Sequence, residues 1–188
     1  YHPMKINYDC SKVDFLRVMD DSQEESEKIY LTMRDTFIDL GVVFFGGYAA
    51  SLYSRHMPKR SQRFIDKIPD FDVLADDPDN CATVLLERLA DAGYKNIKIT
   101  KHNAIGEIIP DHIEISLKDD ILGFIYKPIA CHNYNTIQIK NAEINVASID
   151  TIMSFYLAFL YVDTSYFFID RILCCLLYTS DAADDAHG

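Results

Sequence analysis

Asp70-Phe71-Asp72-Val73-Leu74 places two carboxylates at i and i+2 at the head of an apolar run. On a strand, residues two apart point to the same side, so Asp70 and Asp72 project together and Phe71 turns to the other face. Two carboxylates this close repel, and a divalent cation relieves the repulsion. Hard Mg²⁺ takes one or two carboxylates together with phosphate oxygens. Upstream, Phe44-Phe45-Gly46-Gly47-Tyr48-Ala49-Ala50-Ser51 is an apolar run that breaks at a double glycine and resumes with helix formers. Glycines at a strand-to-helix turn let a ligand come close to the backbone. The helix N-terminus then offers free N–H groups and partial positive charge to a phosphate. Ser51, one turn in, supplies a hydroxyl. Alone, each motif has a plainer reading: Gly-Gly as a tight turn, D-x-D as a solvated strand edge. The glycines also lack the G-x-G-x-x-G and Walker spacings, which argues against a Rossmann or P-loop site. On adjacent strands, the two motifs become halves of one phosphate-and-metal site.

The elements that must position them read as follows. Ser22-Gln23-Glu24-Glu25 is a capping box. Ile29, Met33, Phe37 and Leu40 then share a helical face up to Gly41, which fits a left-handed helix stop. Residues 42–45 form a short buried strand, and a second helix opens at the glycines. Residues 57–69 form a polar, basic loop, and residues 71–75 the second strand. Asp76-Asp77-Pro78 starts a third helix that ends at Gly93. Residues 96–100, 111–117 and 120–126 read as strands, and 138–139 with 144–146 as a small hairpin round Asn141. From Ile149 the pattern is helical again, with Asp150 able to cap. The expected fold class is α/β (α+β): a mixed sheet flanked by helices.

The chain has 188 residues, 49% apolar and 25% charged, which is enough for one domain with a real core. No apolar run reaches the roughly 18 residues of a membrane span, so no membrane partner is expected. Its net charge of -11 argues against a nucleic-acid binder driven by overall charge. One local basic strip runs against that balance: Arg55, Lys59, Arg60, Arg63 and Lys67. The five cysteines are scattered with no metal-type spacing, as free thiols in a reducing compartment would be. The chain opens on Tyr1 and is expected to be a piece of a longer protein, with 1–21 a lead-in. Residues 175–184 resemble a translated sequencing adapter, so 175–188 is expected to be a scar. Its three aspartates, without Lys or Arg, account for the step from -11 to -8.

A helix, a strand ending in Gly-Gly, a helix, and a strand carrying D-x-D together resemble the nucleotidyltransferase signature of the DNA polymerase β superfamily. More narrowly, residues 44–52, 113–116, 125–135 (IYKPIACHNYN) and 147–161 (ASIDTIMSFYLAFLY) are similar to the poly(A) polymerase catalytic subunit of large nucleocytoplasmic DNA viruses, the mimivirus-like branch especially. The resemblance implies a nucleotidyltransferase palm over 22–148 and the start of a helical domain over 149–174. It implies template-independent transfer of AMP from ATP to an RNA 3′ end with two Mg²⁺ (or Mn²⁺) ions. ATP and the RNA end would be partners, a processivity subunit could join them, and the location would be cytoplasmic, in a virion or viral factory. Asp70 and Asp72 would hold the metals, and Gly46, Gly47 and Ser51 the triphosphate.

The same resemblance implies a third carboxylate on a later strand. Ile113-Glu114-Ile115 fits best, with Glu107 and Glu143 as alternatives. Three features depart from the family pattern: Glu where the family tends to Asp, Gly-Gly where many relatives have Gly-Ser, and 22 residues between Gly47 and Asp70. The long insert holds the basic strip, so Arg55, Lys59 and Arg60 are candidate substrate contacts. Lys127, His132, Asn133, Tyr134 and Tyr126 are weaker candidates, because turn formation and core packing explain them equally well. Two other functions stay open: a transferase acting on tRNA, a protein or a small molecule, and a catalytically inactive scaffold.

Overall fold

The computed structural model describes residues 23–53, 70–118, 120–139 and 141–162. The basic strip from Arg55 to Lys67, the Ser22 cap, the lead-in and everything after Val162 lie outside the described residues. The described chain forms α1 (Gln23–Asp39), β1 (Val43–Phe45), α2 (Gly46–Tyr53), β2 (Phe71–Leu74), α3 (Pro78–Asp91), β3 (Ile97–His102), β4 (His112–Leu117), β5 (Asp120–Tyr126), β6 (Tyr134–Ile139), β7 (Ala142–Ala147) and α4 (Ile149–Val162). No described helix is long and apolar enough to cross a membrane.

Local chemistry sets the helix ends. Gly41 has φ +66, and Gly41 and Val42 donate back to Ile38 and Phe37 at 3.0 and 3.4 Å. That is a Schellman stop, and it aims the chain straight into β1. Gly93 (φ +103) ends α3 in the same way, with Tyr94 N–H on the Leu89 carbonyl at 2.8 Å. α3 begins on Asp77, whose side chain accepts from Asn80 N–H at 3.0 Å, with Pro78 in the first turn.

The strands form one mixed sheet in the order β3-β4-β5-β2-β1-β7-β6. β2 runs antiparallel to β1 and parallel to β5, and β1 runs parallel to β7. Side-chain alternation gives the sheet two apolar faces. Phe44, Phe71 and Val73 lie under α1, where Phe37 meets Phe44 and Phe71, and Tyr30 stacks on Phe71 at 4.9 Å. Phe45 and Tyr126 lie on the other face under α4, with Phe45 stacked on Phe155 at 4.4 Å. Ile152, Phe155, Tyr156 and Phe159 share a single core with the sheet. Over its described length, α4 is therefore packed into the sheet's own core. The late hairpin is longer than its sequence pattern indicated, pairing Tyr134 with Ala147 through to Ile139 with Ala142.

Candidate nucleotide and metal site

β1 and β2 lie side by side with Phe45 opposite Asp72. This pairing puts the double glycine and the aspartates at one end of the sheet. Gly46 has φ +62, and a Cβ built on it would fall onto the Asp72 carboxylate, 2.8 Å from Asp72 Cβ and Cγ. The glycine is needed twice: for a left-handed turn from strand to helix, and for the close approach of an acid to a helix N-terminus. Gly46 is buried, while Gly47, Asp70 and Asp72 are half-buried. Backbone N–H groups at the start of the eight-residue α2 stand beside the carboxylate that would hold a cation. Two carboxylates at i and i+2 beside a helix N-terminus are oxygen donors of the kind that Mg²⁺ takes together with phosphate oxygens.

Ser51 is placed less favourably for a ligand. Its hydroxyl donates to the Tyr48 carbonyl at 2.6 Å, within its own helix. Tyr53 closes α2 by donating to the Ala147 carbonyl at 2.9 Å, and Asn135 Nδ2 donates to the Tyr53 oxygen at 3.2 Å. The C-terminal end of α2 is thereby fixed to β6 and β7.

Glu114 does not join the aspartates. It lies in their row across the sheet, but β5 intervenes: Glu114 pairs with Phe124, and Phe124 pairs with Asp72. Its carboxylate meets His102 Nε2 at 3.0 Å. Glu107 is exposed in the turn between Ile105 and Ile109. Glu143 is exposed on β7, opposite Gln138 and four residues before Ala147. Among the described residues, no group of three or more His, Cys, Asp or Glu side chains could hold a metal ion. An acid on β4 is one strand too far, because β5 rather than β4 lies against β2. Chain order does not reveal that topology, and no local pattern marks Phe124 as the neighbour of Asp72.

Two histidines escaped the sequence reading. His112 is 2% exposed, stacked between His102 at 4.8 Å and Tyr126 at 4.9 Å. Its Nδ1 lies 2.9 Å from the Pro110 carbonyl, so Nδ1 carries the donated proton. Burial lowers its pKa below the ordinary histidine value. Tyr126, between His112 and Phe159, belongs to the core. Of the other weak candidates, Asn133 serves structure, its carbonyl accepting from Ser148 and Thr151 hydroxyls at 3.1 and 3.2 Å. His132 packs on Phe155, and burial lowers its pKa too. Lys127 and Tyr134 are exposed. Asp150, at the start of α4, has its pKa lowered chiefly by a hydrogen bond from Ser148.

No family model matches the chain, and no curated protein sequence matches it. Among solved structures, the chain is similar to the crystal structure of the Megavirus polyadenylate synthase, at a TM-score of 0.63 and 16% identity. The two share the fold, a mixed sheet flanked by helices. The match covers 86% of this chain and 32% of that one, so this chain spans about a third of its length. At this identity the likeness is one of fold. The poly(A) polymerase resemblance seen in the sequence thus stands as a distant, fold-level one.

Proposed function

We propose that this chain is the palm of a template-independent nucleotidyltransferase that adds AMP from ATP to RNA 3′ ends. The observation that carries the reading is the contact between the two motifs, with Gly46 shaped to admit the Asp72 carboxylate at the head of α2. The start of α2, through Gly46 and Gly47, receives the triphosphate. Asp70 and Asp72 would hold the divalent metal, Mg²⁺ or Mn²⁺, whose charge would offset that of the phosphates. The RNA 3′ oxygen attacks the α-phosphorus, the bond to the pyrophosphate oxygen breaks, and the hydroxyl proton passes to solvent. Among the described residues, none is placed as a general base, so positioning and electrostatics supply the rate. A viral origin, a processivity subunit, and a cytoplasmic or viral-factory location follow as parts of the same proposal.

Two measurements test it. Labelled ATP should bind only with a divalent ion, and Asp72→Ala should abolish binding. A primer RNA with ATP and Mg²⁺ should yield a homopolymer ladder. Metal-independent ATP binding, or binding unaffected by Asp72→Ala, would remove the site. A specific observation favours a second reading: Phe124 stands where a third acid would be expected beside Asp72. It supports a nucleotide-binding palm without turnover, for which ATP binds and no ladder forms.

A further inference from the structure

We propose that Tyr134 is a stacking platform for an unpaired base of the RNA strand whose 3′ end lies at Asp72. This deepens the nucleotidyltransferase reading above and rests on it. Tyr134 opens β6, the edge strand of the sheet, and is 52% exposed. Strand register fixes the face on which it stands. Tyr134 pairs with Ala147, and the next step of the parallel β1–β7 register sets Ala147 beside Phe45, which pairs with Asp72. Directly opposed side chains share a face. Tyr134 therefore stands on the face that carries Asp72, three strands away, roughly 14 Å between backbones. Its neighbours agree with that placement. Asn135 turns to the other face, in the row of Val146 and Phe44. His132, two residues earlier, packs on Phe155 of α4, the helix that lies over the Asp72 face.

The ring is open to a ligand while its backbone is held. Its cross-strand neighbour, Ala147, contributes only a methyl group beside it. On one side, the Asn133 carbonyl accepts from Ser148 N–H at 2.9 Å and from the Ser148 and Thr151 hydroxyls at 3.1 and 3.2 Å. On the other, Asn135 is tied to α2 through the Tyr53 hydroxyl at 3.2 Å. A ring set on a fixed strand has little freedom to lose when a base lands on it. An aromatic face takes any base, which suits a single strand, whereas the bases of a duplex are already stacked on one another. Roughly four stacked nucleotides, at ~3.4 Å apiece, span the distance from Tyr134 to Asp72. The strand passes over the first turn of α4, where Asp150 is exposed, so stacking rather than charge holds it there.

Tyr134→Trp gives a direct test on the full chain, which has no tryptophan of its own. A short single-stranded oligoadenylate should quench the fluorescence of that variant, and a blunt RNA duplex should not. Tyr134→Ala should weaken oligoadenylate binding by roughly 5- to 150-fold, the range for one stacked base. The loss should be equal at low and high salt, because stacking releases no counterions. Tyr134→Phe should bind as the wild type does, and metal-dependent ATP binding should be unchanged in all three variants. No oligoadenylate binding by the wild type, equal affinity in Tyr134→Ala, a loss confined to low salt, or no quenching in Tyr134→Trp would each overturn the proposal. ATP binding that ignores Asp72→Ala would instead overturn the underlying site, so the two failures are distinct.

Discussion

At the scale of single residues, Gly46 carries the tightest constraint. Its φ of +62 and the Asp72 carboxylate at its open side leave no room for a methyl group. Gly46→Ala should cost about 1–2 kcal/mol from the left-handed backbone, and more from displacing Asp72. Chemical denaturation would show the loss, and metal-dependent ATP binding should fall with it. A variant with wild-type stability and binding would show that the motifs do not touch. His112 makes a different prediction. Its pKa is lowered in the fold by burial, so between the ordinary value of 6.5 and the folded value the unfolded chain holds a proton that the folded chain refuses. Stability should therefore fall as pH drops below about 6.5 and level off below the folded pKa. His112→Phe, which keeps the stack with Tyr126, should shallow that slope, and His132, shifted in the same direction, should keep it from vanishing. Melting temperatures across pH 4–8 check this, and an unchanged slope would show that His112 is not the sensor. At this scale the sequence was legible where chemistry is local. Gly46 and the aspartates announce themselves by type and spacing, whereas Phe124 and the His102–Glu114 pair depend on strand order, which no local pattern encodes.

At the scale of elements, caps and glycine stops were readable because each is satisfied within a few residues. Asp77 with Pro78, Gly41 and Gly93 all act where their types indicate. β6 was read short for the opposite reason. Tyr134, Asn135 and Thr136 are exposed, so no apolar alternation marks them as strand. The two kinds of helix anchor predict different consequences. Asp77→Ala should cost about 1 kcal/mol through its lost cap and leave ATP binding unchanged, since α3 starts on the chain's exit from β2. Tyr53→Phe removes the hydroxyl that joins α2 to the Ala147 carbonyl and Asn135. It should cost a similar amount, about 1 kcal/mol, and also weaken ATP binding, because α2 carries the glycines at its other end. Denaturation midpoints alongside ATP titrations separate the two. Equal effects on binding would mean that α2 is oriented by the sheet without its tether.

At the scale of the whole molecule, α4 decides how far the sheet's own core extends along the chain. The family resemblance implies that a helical domain starts at Ile149. In the fold, α4 covers the sheet face that α1 leaves bare, the face that also carries Asp72. Ile152, Phe155, Tyr156 and Phe159 are buried there, and Phe155 stacks on Phe45, the residue just before Gly46. A chain ending at residue 148 would expose Phe45 and Tyr126 to water. Losing a buried phenylalanine side chain alone costs about 3–5 kcal/mol, and whole domains are stabilised by only about 5–15. The shortened chain should therefore lose cooperative unfolding, while one ending at residue 162 should keep it. Phe155→Ala within the longer chain should destabilise by about 3–5 kcal/mol and weaken ATP binding by loosening the strand that aims the glycines. Calorimetry on the three proteins decides the matter. If the chain ending at 148 melts cooperatively near the longer chain's temperature, α4 is the first helix of another domain, and the aspartate face is built without it.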